Sequence, residues 1–237
     1  ANLSNSILTG VDLSDKDLTG TILTGANISD ANLTGVNLSG IDLTGTTLSG
    51  VDLSGMDLTG TILTGANLSD ATLTGVDLSD VILTGANLSN SILTGVDLSN
   101  VILTGANLSD ATLTGVDLSG IDLFGVVFVG VDLSGLNLTE VILTGANLSD
   151  ANLTGVDLSG KDLIGTILTG ANLTDANLTG VNLSGKDLTG TILAGVNLSG
   201  KDLTGTILSG VNLSGKDLTD TILTKANLSN SILTGVD

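Results

Sequence analysis

A five-residue period runs through the chain from end to end without a slip. Cut from Ala1, the 237 residues make 47 complete units and a remainder, Val236-Asp237. The third residue of the unit is Leu in 45 of the 47; Ile28 and Phe128 are the exceptions. The fourth is Ser or Thr in 43, broken only at Phe124, Val129, Ile164 and Ala194. The fifth holds all 33 glycines and is otherwise Asp, Asn, Glu140 or Lys225. The second is mainly Asp, Asn or Ile, and the first mainly Val, Ala or Thr. This period excludes the two ordinary solutions. An amphipathic helix repeats at about 3.6 residues and a continuous strand at 2. A helix would carry the leucines around its whole circumference, and each Gly would cost it about 1 kcal/mol relative to Ala. A coil of short extended pieces with a turn in every unit fits. Strand alternation then puts the first and third residues on one face. The small or branched residue and Leu point inward; Asp/Asn, Ser/Thr and Gly lie outside, with Gly serving the turn. Stacked coils pair their backbones, as in other solenoids.

The units Ala-Asn-Leu-Ser-Asp and Ala-Asn-Leu-Thr-Gly match the motif A(D/N)LXX, and the chain resembles the pentapeptide-repeat family over its whole length. The resemblance implies an all-β fold, a right-handed quadrilateral β-helix with four units, 20 residues, per coil. It implies little about function, because a fold does not dictate one. The residues support 20 independently. Thr-Ile-Leu-Thr-Gly at 61 returns as Val-Ile-Leu-Thr-Gly at 81 and 101, and Ala-Asn-Leu-Ser recurs at 66, 86 and 106. Near the end the spacing becomes 15, with Val-Asn-Leu-Ser-Gly-Lys-Asp-Leu at 181, 196 and 211. A 15-residue coil there would stack Lys186, Lys201 and Lys216 about 4.8 Å apart, where like charges repel. A 20-residue coil is therefore expected throughout: about 12 coils, a rod roughly 57 Å long at the strand spacing. Residues 1–237 read as one solenoid domain without linkers or capping units.

Composition narrows function. There is no Cys or His, hence no disulfide framework, no ordinary zinc, haem or iron–sulfur site, and no Cys–His or Ser–His–Asp catalysis. No catalytic residue and no cofactor is assigned, and nothing breaks the repeat to form a pocket. Aromatics are 1% and the net charge is −19, which disfavours base stacking and repels nucleic acid. The longest obvious apolar run is Val126 to Val129, far short of the ~20 residues of a membrane span. The chain opens with neither Met nor a signal peptide and reads as processed or cut from something longer.

Stacking by twenties sorts the outward residues into four faces. The first, with units starting at 1, 21 and 41, carries an apolar stripe that includes Ile62, Ile82, Ile102 and Ile142, interrupted by Asp42, Asp122 and Asp162. Phe124, Val127 and Val129 occupy three further outward positions, and with the Ile stripe they are the candidate partner-contact residues, since long apolar patches mark interfaces. Phe128 replaces Leu in the core. The fourth face carries an acidic stripe, Asp57, Asp77, Asp97 and Asp117. Carboxylates stacked this closely are expected to show raised pKa values or attract cations. A flat ladder does not converge on a point as calcium requires, so no metal site is assigned. Lys16, Lys161, Lys186, Lys201 and Lys216 stand at inward first positions with no inward acid; their stems are expected to follow the wall and their amines to reach solvent.

Some motifs are by-products of the period. Gly155–Lys161 and its three copies read G-x-x-x-x-G-K, but Asp follows, in neither the strand nor the helix context of a P-loop. Every second-position Asn lies in an N-x-S/T sequon because the repeat forces it. The expected function is structural: a rigid rod, extracellular or on a cell surface, that forms a fibre with copies of itself by lateral and end-to-end association. The alternative follows from the resemblance: some acidic members mimic DNA and bind a type II topoisomerase, which would place the chain in the cytoplasm. Net −19 over ~57 Å is about one charge per 3 Å, against one per ~1.7 Å in duplex DNA. Those members tend to carry a C-terminal aromatic dimerisation element and loops that break the coils, and this chain has neither. A second alternative, an ice-binding solenoid, has Ser/Thr ladders in its favour, although they fall on every face.

Overall fold

Nearly every corner of the rod is closed by the same backbone bond; the amides of Val96 and Val236 are the exceptions. The amide of a unit's first residue donates to the carbonyl three residues back, as Ser6 N–H does to Leu3 O (3.1 Å) and Ala26 N–H to Leu23 O (2.8 Å). The residue just before that amide has a positive φ in every unit. The 33 glycines lie at 61–74° and the 14 other residues at 54–60°. A positive φ at the third of four residues is the type II turn, for which Gly is the low-strain choice. Most of the 14 are Asp or Asn, which tolerate this region best; Glu140 and Lys225 adopt it as well, at 58° each.

Between corners the chain is extended and pairs with the coils on either side. Leu3 N–H donates to Ile22 O (2.8 Å), Asn5 N–H to Thr24 O (3.1 Å), and Ile22 N–H back to Ala1 O (2.9 Å). The resulting β-bridges are all parallel and all join residues 20 apart, from Asn2–Ile22 to Asn212–Ile232. The 15-residue spacing of the C-terminal sequence leaves no trace: Asp187 pairs with Ile207 and Asp202 with Ile222. The chain is thus a right-handed quadrilateral β-helix with four units to the coil. The computed structural model describes residues 1–237.

Leu and the first-position residues fill the axis. Leu23, Leu63, Leu83 and their equivalents are buried, as are Ala26, Val36 and Val81. Phe128 is fully buried in a Leu position, as its place in the repeat requires. Each fully buried Leu contributes about 1.5–3 kcal/mol. Thr at the first position is also buried, because its hydroxyl donates down the axis. Thr46 Oγ1 reaches Leu23 O (3.1 Å) and Thr61 Oγ1 reaches Leu38 O (3.0 Å), each 23 residues earlier in the coil below. No buried side-chain polar atom lacks a partner. The first and last coils differ: Leu3, Leu8 and Leu13 are only partly covered, and Leu233 is 44% exposed.

Two substitutions separate the turn from the packing. At Gly85 (φ +63°) an added Cβ meets nothing within 4 Å, whereas at Gly165 (φ +69°) it lies 3.4 Å from the Gly145 Cα one coil below. Gly85→Ala is expected to cost about 1–2 kcal/mol from the left-handed backbone alone. Gly165→Ala should cost somewhat more, because its Cβ also sits at the near edge of van der Waals contact with the Gly145 backbone. Urea unfolding of both variants checks the order, and equal losses would contradict it.

Candidate interaction faces

The outer wall is ordered by a second small motif. Where the second residue is Asp or Asn, its Oδ1 accepts the amide of the fourth residue, and in many units its hydroxyl too. Asp42 Oδ1 accepts Thr44 N–H (2.9 Å) and Thr44 Oγ1–H (2.6 Å); Asn27 does the same for Ser29. This Asx turn explains why D/N-x-S/T pervades the chain: the side chains satisfy backbone groups between corners. It also consumes hydroxyls that would otherwise face water. Free hydroxyls collect where the second residue is Ile, as at Thr64, Thr84 and Thr104.

On the first face, Ile62, Ile82 and Ile102 bridge one another in three successive coils. Ile62 and Ile82 are half-buried, while Ile102 and Ile142 are exposed at 46% and 48%. The outward positions of units 61–65, 81–85 and 101–105 are Ile, Thr and Gly, with no charge. The Thr column then meets Phe124, whose ring is 50% exposed and whose amide donates to Asp122 Oδ1 (2.9 Å). Around the corner on the second face, Val127 is bridged to Asn107 and Asn147 and is half-buried, as is Val129. The structure therefore brings Ile102, Phe124 and Ile142 together on one face, with Val127 and Val129 beside them on the next.

The sequence reading missed what Val127 interrupts. Asn87 Nδ2 donates to Asn67 Oδ1 (3.1 Å) and Asn107 Nδ2 to Asn87 Oδ1 (3.2 Å), an amide ladder running along the rod. Its signal was the 20-residue spacing of identical Asn residues; its bonds depend on rotamers that spacing does not specify.

On the fourth face Asp57, Asp77 and Asp97 are bridged in succession, and Asp117 continues the column; all four are exposed. The expectation of raised pKa values is corrected here. Asp57 and Asp77 are lowered, chiefly by the hydroxyls of Thr59 and Ser79 and then by the same residues' amides; Asp117 is lowered by the Ser119 amide and hydroxyl. Asp77 opposes the shift at Asp57 only weakly, because hydrogen bonds to an anion act at contact while the neighbouring carboxylates repel through water. No group of three or more acidic side chains converges to hold a metal ion.

The lysines also depart from expectation. Lys186, Lys201 and Lys216 are half-buried and their amines turn back to the wall. Lys201 Nζ donates to Leu178 O (2.7 Å), Lys216 Nζ to Val196 O (2.9 Å), and Lys186 Nζ to Leu163 O. Lys186 and Lys201 thus bond to the carbonyl 23 residues back, as first-position Thr does. Burial lowers the pKa of Lys186 and Lys216; Asp162 and Asp175 respectively partly offset it, rather than the Asp that follows each Lys in sequence. Lys16 is exposed in the first coil. The hollows in the surface are open grooves between successive coils, such as the one lined by Gly95, Asp97, Gly115 and Asp117.

These features define a β-solenoid whose variable chemistry sits on flat outer faces. The chain belongs to the pentapeptide-repeat family: the family model, pentapeptide repeats in eight copies, matches residues 1–40, 26–65, 41–80, 82–120, 121–160, 146–185, 162–193, 171–210 and 203–237. Among solved structures it is similar to HetL, a pentapeptide repeat protein involved in heterocyst differentiation regulation from the cyanobacterium Nostoc sp. strain PCC 7120. That match has 32% identity over 98% of this chain and 89% of that one, with a TM-score of 0.34. It is also similar to the pentapeptide repeat protein Rfr23 from the cyanobacterium Cyanothece 51142 (33% identity, 47% and 86% covered, TM-score 0.37). A third is QnrB1, a plasmid-mediated fluoroquinolone resistance protein (20% identity, 78% and 90% covered, TM-score 0.28). No match is found among curated protein sequences. No helix is long and apolar enough to cross a membrane.

The lowered carboxylates set a pH dependence. A carboxylate whose folded pKa is depressed stabilises the fold fully above its unfolded value, about 3.9, and loses that contribution as pH falls through the folded value. Melting temperature at physiological salt should hold from pH 7 to about 5 and fall below about 4. Asn makes the same turn, so replacing Asp57, Asp77 and Asp117 by Asn should preserve the fold at pH 7 and flatten the acid limb. An acid limb as steep as that of the parent chain would show that these turns do not carry it.

Proposed function

We propose that this chain is a non-catalytic structural rod that builds a fibre through contacts between copies of itself. The observation that carries the reading is the uncharged strip Ile62–Ile82–Ile102 ending in the half-exposed Phe124. A contiguous apolar strip with an exposed aromatic is unusual on a soluble surface and suits a protein partner. The β-helix holds it rigid, so little ordering entropy opposes contact. Phe124→Ser combined with Val129→Thr should leave the core intact, since both side chains point outward, and should weaken association measured by light scattering. Electron microscopy of the parent chain should show filaments or paired rods. Discrete single rods near 57 Å, unchanged with concentration, would refute the reading.

A second reading is favoured by the Asp57–Asp77–Asp97 column, bridged in register and held ionised at Asp57 and Asp77 by the Asx turns. A rigid line of fixed anions imitates a phosphate backbone and would occupy the DNA-binding groove of a type II topoisomerase. Inhibition of gyrase supercoiling that is lost when these three residues are changed to Asn would establish it; no inhibition removes it.

A further inference from the structure

We infer that the lateral contact is an antiparallel pair, first face to first face, in the register that sets Phe124 of one rod against Thr104 of the other. The inference rests on the self-association proposed above and adds its direction and partner residues. The first face carries four carboxylates at second positions of the unit: Asp42, Asp122, Asp162 and Asp202. In a parallel pair in register, each is level with its own copy. Four like-charge encounters then lie near or within one Debye length, about 8 Å at physiological salt.

Reversing one rod removes all four. With the coil of Phe124 against the coil of Ile102, the 20-residue step sets Asp42 opposite Asn182, Asp122 opposite Ile102, Asp162 opposite Ile62 and Asp202 opposite Ile22. Ile82 meets Ile142, and the exposed Ile164 (69%) meets Thr64. Each of the four carboxylates already has Oδ1 bonded to the amide two residues on, leaving one oxygen for water at the rim.

The charge distribution along the rod favours the same direction. Residues 161–237 hold five lysines against seven acids, while residues 1–160 hold one lysine against 18 acids. Segment charges are therefore −2 and −17. In this register antiparallel packing lays residues 1–61 beside the nearly neutral 161–221, where parallel packing lays each beside its own copy; the acidic middle, 62–160, faces itself in both. A face about 57 Å long and four residues, about 13 Å, wide offers roughly 700 Å² per rod. That reaches the low end of the area a specific pair needs, about 1,200 Å² in total.

The chain has no cysteine, so single substitutions report the geometry cleanly. Ile82→Cys and Ile142→Cys rods, mixed and treated with a short bis-maleimide able to span one gap between packed sheets, about 10 Å, should give a covalent dimer joining the two variants. Neither variant alone should do so, because its own cysteines would lie three coils further apart. Ile82→Cys cross-linking to itself, or association without a cross-link in the mixture, overturns the antiparallel register and leaves self-association standing. No association of the parent chain or of either variant by sedimentation overturns both.

Discussion

A left-handed residue at every fifth position is the constraint on which the structure depends. It closes a type II turn, and that turn redirects a four-residue extended segment by about a right angle, so that four units return the chain to its start one strand spacing higher. Once the path is fixed, side-chain direction follows. The third residue of each unit cannot avoid the axis, and the second and fourth cannot enter it. Gly at most corners, Leu at nearly every third position and the 20-residue bridges are therefore one fact seen at three scales.

The backbone needs outside partners between corners, and the wall residues meet that need in two ways. Asp or Asn at the second position bonds to the amide two residues on. Thr or Lys at the first bonds to a carbonyl of the coil below. The second device gives Lys186 and Lys201 a physical account: the aliphatic stem takes the inward place of Val, and the amine occupies the site of a Thr hydroxyl. The fold tolerates an ammonium at the wall because a backbone acceptor is already there. Likewise Asp57, Asp77 and Asp117 are held ionised because each is solvated by its own turn before it feels its neighbour.

With backbone and core alike in every coil, individuality is left to the outward second and fourth positions. On the first face these change from Asp to Ile over three successive coils, and a Thr gives way to Phe124. That is where a smooth, acidic rod turns apolar. The long axis supplies a direction as well, since lysines gather in its last third while acids dominate the rest.

The sequence by itself determined the path of the chain. Leu at a strict period of five, with Gly confined to one phase, admits a turning coil and neither a helix nor a flat strand. Phe128 was legible as core and Phe124 as surface for the same reason: phase alone sets their direction. Only the tertiary structure decided what happens between coils. The 20-residue coil, already expected from the like charges that a 15-residue one would stack at Lys186, Lys201 and Lys216, holds there because backbone pairing repeats with the four corners and not with side-chain identity. The tertiary structure turned the amines of Lys186, Lys201 and Lys216 inward, lowered Asp57, Asp77 and Asp117, and joined Asn67, Asn87 and Asn107 into a ladder. The lysine contacts and the Asn ladder depend on atoms some 20 residues apart in sequence meeting within hydrogen-bond distance, and the Asp shifts on a local rotamer; periodicity places residues on a face without specifying the bonds they make there.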